Sequence, residues 1–375
     1  MTIATATFSR DCLPCGLVFD RCLLEVSVRI PFALILFALI QTSACADLSA
    51  AEVTSAISNQ TPVAGSVTES SPTRLSEVVV SGEQPGPGMW RVEHGDNVLY
   101  ILGTLSPLPK RMRWKSDEVE ALIASAQQVI NPTEVKAKSD LGMFRTAMLL
   151  PSALRARNNP EEQTLVDVLP ADLYQRWLPL KERYMRRNRS VEKRRPIIAA
   201  SQLYEKAIDK SGLESSSRID KVIAKAAKRN RVEVVEPMIE ITIEDPKAML
   251  KEIAGASLDD IGCFKSTLDR LEIELEHMRA RANAWAIGDL EALRELPSQD
   301  RGRACIQAIT GSAAMQSRGF DKLPERAKQA WLEAVDAALT THTITFAALP
   351  MRQLLGDDGY LQALTARGYV VVAPE

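Results

Sequence analysis

Residues 89–106, MWRVEHGDNVLYILGTLS, decide the fold. Trp90-Arg91-Val92-Glu93 alternates apolar with polar and then meets Gly95-Asp96-Asn97, turn chemistry that reverses the chain. Residues 98–102 are an unbroken apolar run. Such a strand is covered on both faces and belongs inside a sheet. Gly103 is expected to occupy the turn at its end. Thr104, Leu105 and Ser106 then stand where an α/β sheet presents groups to a ligand, at the carboxyl edge of its strands.

Working outward, Ser116 is a good N-cap residue, with Asp117 and Glu118 placed to suit the helix dipole. Val119, Leu122, Ile123 and Ala126 repeat at helical spacing, and Gln128-Val129-Ile130-Asn131 reads as a strand. Strand, helix, strand predicts a parallel pair joined by a right-handed crossover. Residues 141–213 read as helices punctuated by Pro151, Pro160, Pro170 and Pro196. A helix over residues 219–227 feeds a β-branched strand at residues 232–236, and Asp245-Pro246 opens another helix. The strongest periodic signal covers residues 258–286. Ile261, Phe264, Leu268, Leu271, Leu275, Met278, Ala282 and Trp285 alternate steps of three and four, giving one seam on a helix on the order of 40 Å long. Gly288 stops it and Asp289 caps the next. Helices over residues 301–316 and from Leu323 onward precede a strand at Thr343-Ile344-Thr345-Phe346. The turn Gly356-Asp357-Asp358-Gly359, a helix, Gly368 and a strand over residues 369–372 close the chain. The fold class is α/β, a single domain with a mixed central sheet built from strands near Trp90, Val98, Val129, Val232, Ile344 and Val370, flanked by many helices.

The chain has 375 residues, 46% hydrophobic and 25% charged, with a net charge of −2. That balance favours neither nucleic acid nor an anionic membrane as a partner. The basic run KERYMRRNRSVEKRR, residues 181–195, reads either as a strip facing an acidic polymer or as a solvated helix face and turn. Residues 30–40, IPFALILFALI, follow Arg29 and are too short for a membrane span; with Ala44-Cys45-Ala46 they read as a secretory leader, residues 1–46. Initiation near Val28 would give that leader a basic end, because Asp11, Asp20 and Glu25 precede it. Lipid attachment at Cys45 is the alternative to cleavage. Residues 47–87, rich in Ser, Thr, Ala, Pro and Gly, read as a tether with a short strand at Val78-Val79-Val80, leaving a domain at residues 88–375. The mature chain is then periplasmic or secreted and carries no transmembrane helix.

The tryptophan, hairpin, apolar strand and Gly-Thr-Leu resemble the start of the TraB/GumN family, which includes the Tiki-type metal-dependent proteases. The ending LLGDDGYLQALTARGYVV resembles that family's C-terminus. The resemblance implies a metal site built from a Gly-x-x-His histidine, an acidic residue at the end of the strand after the first helix, and a histidine before the last turn. Here those positions hold Ser106, Asn131 and Gln353, the first of them following Gly103. Asp220, Glu236 and Arg301 match other family positions, so the resemblance points to Glu236 and Arg301 as catalytic residues, and to Gly103, Ser106, Asn131, Asp220 and Gln353 as binding residues.

A water-activating divalent metal needs about three histidine or carboxylate ligands. With Ser106, Asn131 and Gln353 in place of such ligands, no cofactor is expected and Glu236 stands as the clear strong donor. Two functions stay open: a non-catalytic domain binding a peptide, glycan or protein through the degenerate cleft, or a metal-dependent, protease-like hydrolase rebuilt on Glu236, Asp220 and Asp357 or Asp358. His94, His277 and His342 are scattered, and no nucleotide-binding, serine-hydrolase or zincin motif occurs. Past the leader, Cys263 and Cys305 are the cysteines that remain, and an even pair in an oxidising compartment is expected to form a disulfide.

Overall fold

The computed structural model describes residues 83–139, 145, 148–215, 218–255, 260–296, 301–356 and 359–374. The expected leader with Cys45, the expected strand at Val78-Val79-Val80 and the pair Asp357 and Asp358 lie outside them. Strand β1 (Glu83–Gln84) begins five residues upstream of residue 88; Lys115 N donates to Gln84 O and Gly86 N to Ala286 O, each at 2.8 Å. Strands β2 (Met89–His94) and β3 (Asn97–Thr104) form the expected hairpin, with Trp90 opposite Ile101 and His94 opposite Asn97. Short strands β4 (Leu108–Pro109) and β5 (Arg113–Trp114) lead to the helix Asp117–Ser125 and to β6 (Gln128–Ile130). Further along come β7 (Glu134–Ser139), β8 (Leu213–Glu214), β9 (Glu233–Val235), β10 (Met238–Ile243), β11 (Ile344–Pro350) and β12 (Val370–Val372).

All six expected strands assemble into one mixed sheet, in the order β12-β2-β3-β11-β6-β9. β3 lies inside it, as its apolar run requires. The pairing expected between β3 and β6 is not direct, because β11 inserts between them and runs parallel to both. Five consecutive residues of β11, Thr345 to Leu349, are buried, and a strand covered on both faces displaces the three-residue β6 from the centre. Beyond Pro132 and Pro237, β7 and β10 continue β6 and β9 as a separate parallel ribbon, with Val135 opposite Ile239. The prolines break each ladder, since neither offers an N–H. Ser116 precedes the helix as expected. Its hydroxyl, however, donates to Glu120 Oε1 at 2.8 Å instead of accepting from the helix backbone.

The sheet core gathers Trp90, Leu99, Ile101, Ile123, Ile130, Trp285, Trp331 and Phe346, all nearly or fully buried. A second core lies among helices: Trp177 meets Phe264 at 5.3 Å, surrounded by Leu173, Leu203, Leu268 and Leu271. One 28-residue helix, Asp260–Ile287, serves both. Its seam enters the helical block at Phe264, Leu268 and Leu271, passes Met278, and reaches the sheet at Ala282 and Trp285. Ile261, expected on that seam, is 41% exposed, because the packed stretch begins at Cys263 and Phe264. Gly288 ends the helix with φ +79°, and Asp289 Oδ1 accepts from Ala292 N at 2.9 Å. The single helix expected over residues 301–316 is two, Arg301–Thr310 and Ala313–Gln316, parted at Gly311.

A disulfide joins Cys263 to Cys305, whose Cα atoms are 4.5 Å apart. Much of the basic run is engaged: Lys181 pairs with Glu192 at 2.5 Å, Lys193 with Glu162 at 3.4 Å and the buried Arg195 with Asp260 at 2.8 Å, while Arg194 donates to Asn158. These contacts favour the structural reading of that run. Among the described residues, no helix is long and apolar enough to cross a membrane.

Candidate functional site at the carboxyl edge of the sheet

Four neighbouring strands, β3, β11, β6 and β9, run parallel and so end on the same side. Thr104 is in register with Pro350, and Ile130 with Ala347 and Val235. Ser106 follows the end of β3 by two residues, Gln353 follows β11 by three, and Asn131 and Glu236 each follow their strands by one. Adjacent strands are about 4.8 Å apart, so the four span roughly 14 Å across the sheet, and β6 and β9 end about 10 Å short of β3 and β11 along the strand direction. A crevice beyond the carboxyl ends of parallel strands is where open α/β sheets bind ligands.

Each residue is held by identifiable contacts. The Ser106 hydroxyl is exposed and donates to Ser215 O at 3.2 Å, and Leu108 pairs with Glu214. Those links tie the end of β3 to the segment entering the helix Arg218–Asn230, in whose first turn Asp220 lies exposed. Asn131 is half-buried and its N–H donates to Val235 O at 2.9 Å, keeping it beside Glu236, which is exposed. Gln353 sits in the short helix Met351–Leu355; its Oε1 is buried and has no hydrogen-bond partner among the described residues.

Gly103 is not in a turn. The strand continues through Thr104, and the glycine serves close packing: a Cβ there would lie 2.5 Å from Met351 Cε and 3.0 Å from Trp90 Cζ3. Its carbonyl accepts from the buried Trp285 Nε1 at 2.7 Å, which anchors the long helix to the end of β3. Arg301 is placed elsewhere. It opens the helix that carries Cys305, bonded to Cys263, and Cys263 lies 22 residues before Trp285 on the long helix. At 1.5 Å per residue that is about 33 Å, so Arg301 belongs to the helical block and not to the strand ends.

The histidines lie at the wrong places for this edge. His94 packs edge-on against Tyr369 at 5.3 Å beside the hairpin turn, and His342 ends the helix Leu323–Thr341 just before β11 begins; both are at the amino ends of β3 and β11. An eight-residue strand at about 3.3 Å per residue separates them from the carboxyl edge by roughly 25 Å. Among the described residues, no group of three histidine, cysteine or acidic side chains could hold a metal ion. Asp220 and Glu236, without an imidazole, do not fit the ligand set of a tight divalent site. What the edge does offer is hydrogen bonding: one hydroxyl, two amides and two carboxylates.

The sequence marks one of these strand ends through Pro237 after Glu236, whereas the matching signal at Pro132 was missed. Pro132 after Asn131 and Pro237 after Glu236 are the signal that marks both breaks. A family profile, described as the TraB/PrgY/gumN family, matches residues 88–373. No curated protein and no solved structure matches the chain.

Proposed function

This chain belongs to the TraB/PrgY/gumN family, and on that premise we propose that it is an exported, non-catalytic domain that binds a peptide, glycan or protein segment along the carboxyl edge of its sheet. The observation that carries the reading is Gln353: a buried amide oxygen without a partner among the described residues, in the short helix that follows β11. A buried unsatisfied acceptor disfavours the empty site by about 1–3 kcal/mol, and an N–H or O–H donor from a ligand would relieve it. Peptides and glycans both supply such donors. The Cys263–Cys305 disulfide supports a periplasmic or secreted location.

The exported protein should be incubated with a panel of peptides and oligosaccharides, with and without Zn²⁺ or Mn²⁺, and both binding and cleavage read. The expected result is saturable binding, weakened by Gln353→Leu, with every ligand recovered intact. Metal-dependent cleavage abolished by Glu236→Gln would overturn the proposal in favour of a hydrolase built on Glu236 and Asp220.

A further inference from the structure

A second candidate site lies in the helical block, away from the sheet edge. A groove of about 640 Å³ opens between the helices Leu150–Ala156 and Pro246–Gly255. Its charged lining is Arg155, Lys193, Lys247 and Lys251 against one acid, Glu162. Glu162 is taken up by Lys193 at 3.4 Å, and Glu252, next in sequence to Lys251, pairs with Arg318 at 2.8 Å. Lys247, Lys251 and Arg155 are thus left without an acidic partner among the described residues. Three cations around one groove repel one another unless an anion joins them.

The independent observation is Asn159, also in the lining. It is only 6% exposed, and its Nδ2 has no hydrogen-bond partner among the described residues. The backbone gives it little freedom: Asn159 N donates to Lys193 O at 3.0 Å, and Arg195 N to Arg157 O at 2.9 Å. A fixed, buried amide donor on a residue that lines a groove is a cost with no return in the empty protein. The preceding Arg157 is likewise buried, with Nε unpartnered, and burial together with the nearby Arg194 pushes its pKa down. The groove-lining groups Arg155, Lys247, Lys251 and Asn159 would all be stabilised by the same thing, a negative charge with acceptor oxygens.

We propose that this groove binds a small phosphorylated molecule, with its phosphate between Lys247, Lys251 and Arg155 and one oxygen accepting from Asn159 Nδ2. A phosphate monoester carries close to two negative charges at neutral pH and three acceptor oxygens, which matches three cations and a neutral donor better than a single carboxylate does. The volume exceeds that of an isolated oxyanion and suits a glycerol- or sugar-sized body.

Calorimetric titration of the exported protein with glycerol 3-phosphate tests this. Saturable binding is expected, weakened about tenfold in Lys247→Gln/Lys251→Gln by loss of two charge-assisted hydrogen bonds, and unchanged in Lys225→Gln, an exposed lysine on another helix. Asn159→Asp, which turns a carboxylate toward the phosphate, should bind still more weakly; both lysines are exposed, so their variant decides the matter even if the buried substitution impairs folding. No saturable binding up to about 10 mM, an affinity of only a few kcal/mol, would overturn the proposal. So would equal weakening by Lys225→Gln, or binding to phosphatidic acid vesicles without binding to soluble glycerol 3-phosphate.

Discussion

The sheet core and the helical block share the helix Asp260–Ile287 but are specified by different physics. Around Trp90, Trp285 and Trp331 the buried chain is almost wholly apolar, and Thr345 is the one buried polar residue there among the described residues. In the helical block Arg157, Asn159, Arg195, Asp260 and Thr267 are all buried. A parallel sheet draws its register from backbone ladders and covers it with apolar side chains. Helices packed on one another have no ladder between them, and here directed contacts such as Arg195 with Asp260, Lys181 with Glu192 and the Cys263–Cys305 bond supply fixed points. The sheet half is therefore predicted to be insensitive to redox state, and the block sensitive.

The largest effect should come from the helix that joins the two. Trp285→Ala removes a fully buried indole and leaves the Gly103 carbonyl without its donor, which should cost about 4 kcal/mol in urea unfolding. A cost under about 1 kcal/mol would mean that the indole is not anchoring the sheet. Opening the disulfide with Cys263→Ser/Cys305→Ser releases a loop of 42 residues, worth roughly 4 kcal/mol in the chain-entropy model. Hydrogen exchange should then quicken in residues 196–210 and 260–271 while β3 and β11 stay protected. Equal loss of protection in both strands would erase the contrast between the regions.

A smaller loss is expected from Asp260→Asn, which strands a buried guanidinium: roughly 3 kcal/mol, recovered in large part by Arg195→Met/Asp260→Leu. The smallest effects are those of pH, and they separate by region. Tyr360 and Tyr369, both in the sheet half, are pushed up to about 12, chiefly by burial, with Glu325 and Asp336 adding to it. The fold thus favours the neutral phenols. Their contribution is complete below the unfolded value of 10.0 and lost as pH rises from there through about 12. In the block, burial raises the Asp269 pKa, but hydrogen bonds from Lys265 and Arg176 outweigh it and hold the carboxyl below its usual range. That contribution is present above 3.8 and lost as pH falls through the lower folded pKa. Ultraviolet titration of the phenols and carboxyl NMR would read the two separately.

The sheet was largely legible because its signals are local. The Trp90 alternation, the run at residues 98–102, the β-branched cluster before Glu236 and the alternation at Thr343-Ile344-Thr345-Phe346 each lie within a few residues. Strand order was not, since the insertion of β11 between β3 and β6 depends on which strand is buried on both faces. β10 carried a readable alternation in Met238-Ile239-Glu240-Ile241-Thr242-Ile243 that was passed over because Pro237 directs attention to a strand end. The ion pairs of the block were hidden for another reason: Arg195 and Asp260 are 65 residues apart, and Arg176 and Asp269 are 93. At the candidate site, Ser106, Asn131 and Glu236 follow strand ends that the local sequence pattern marks, whereas Arg301, placed by likeness alone, lies on a helix tied to the helical block. The disulfide was legible from the cysteine count.

The central claim is that hydroxyl and amide groups have taken the place of metal ligands along one edge of the sheet. Titrating the purified protein with Co²⁺ and reading its visible d–d absorption tests it directly, in the wild type and in Ser106→His/Gln353→His. Flat spectra for the wild type and a saturable band for the double variant, with affinity raised at least about a hundredfold by the two added imidazoles, is the predicted result. Tight, saturable Co²⁺ binding by the wild type, lost in Glu236→Gln, would contradict it.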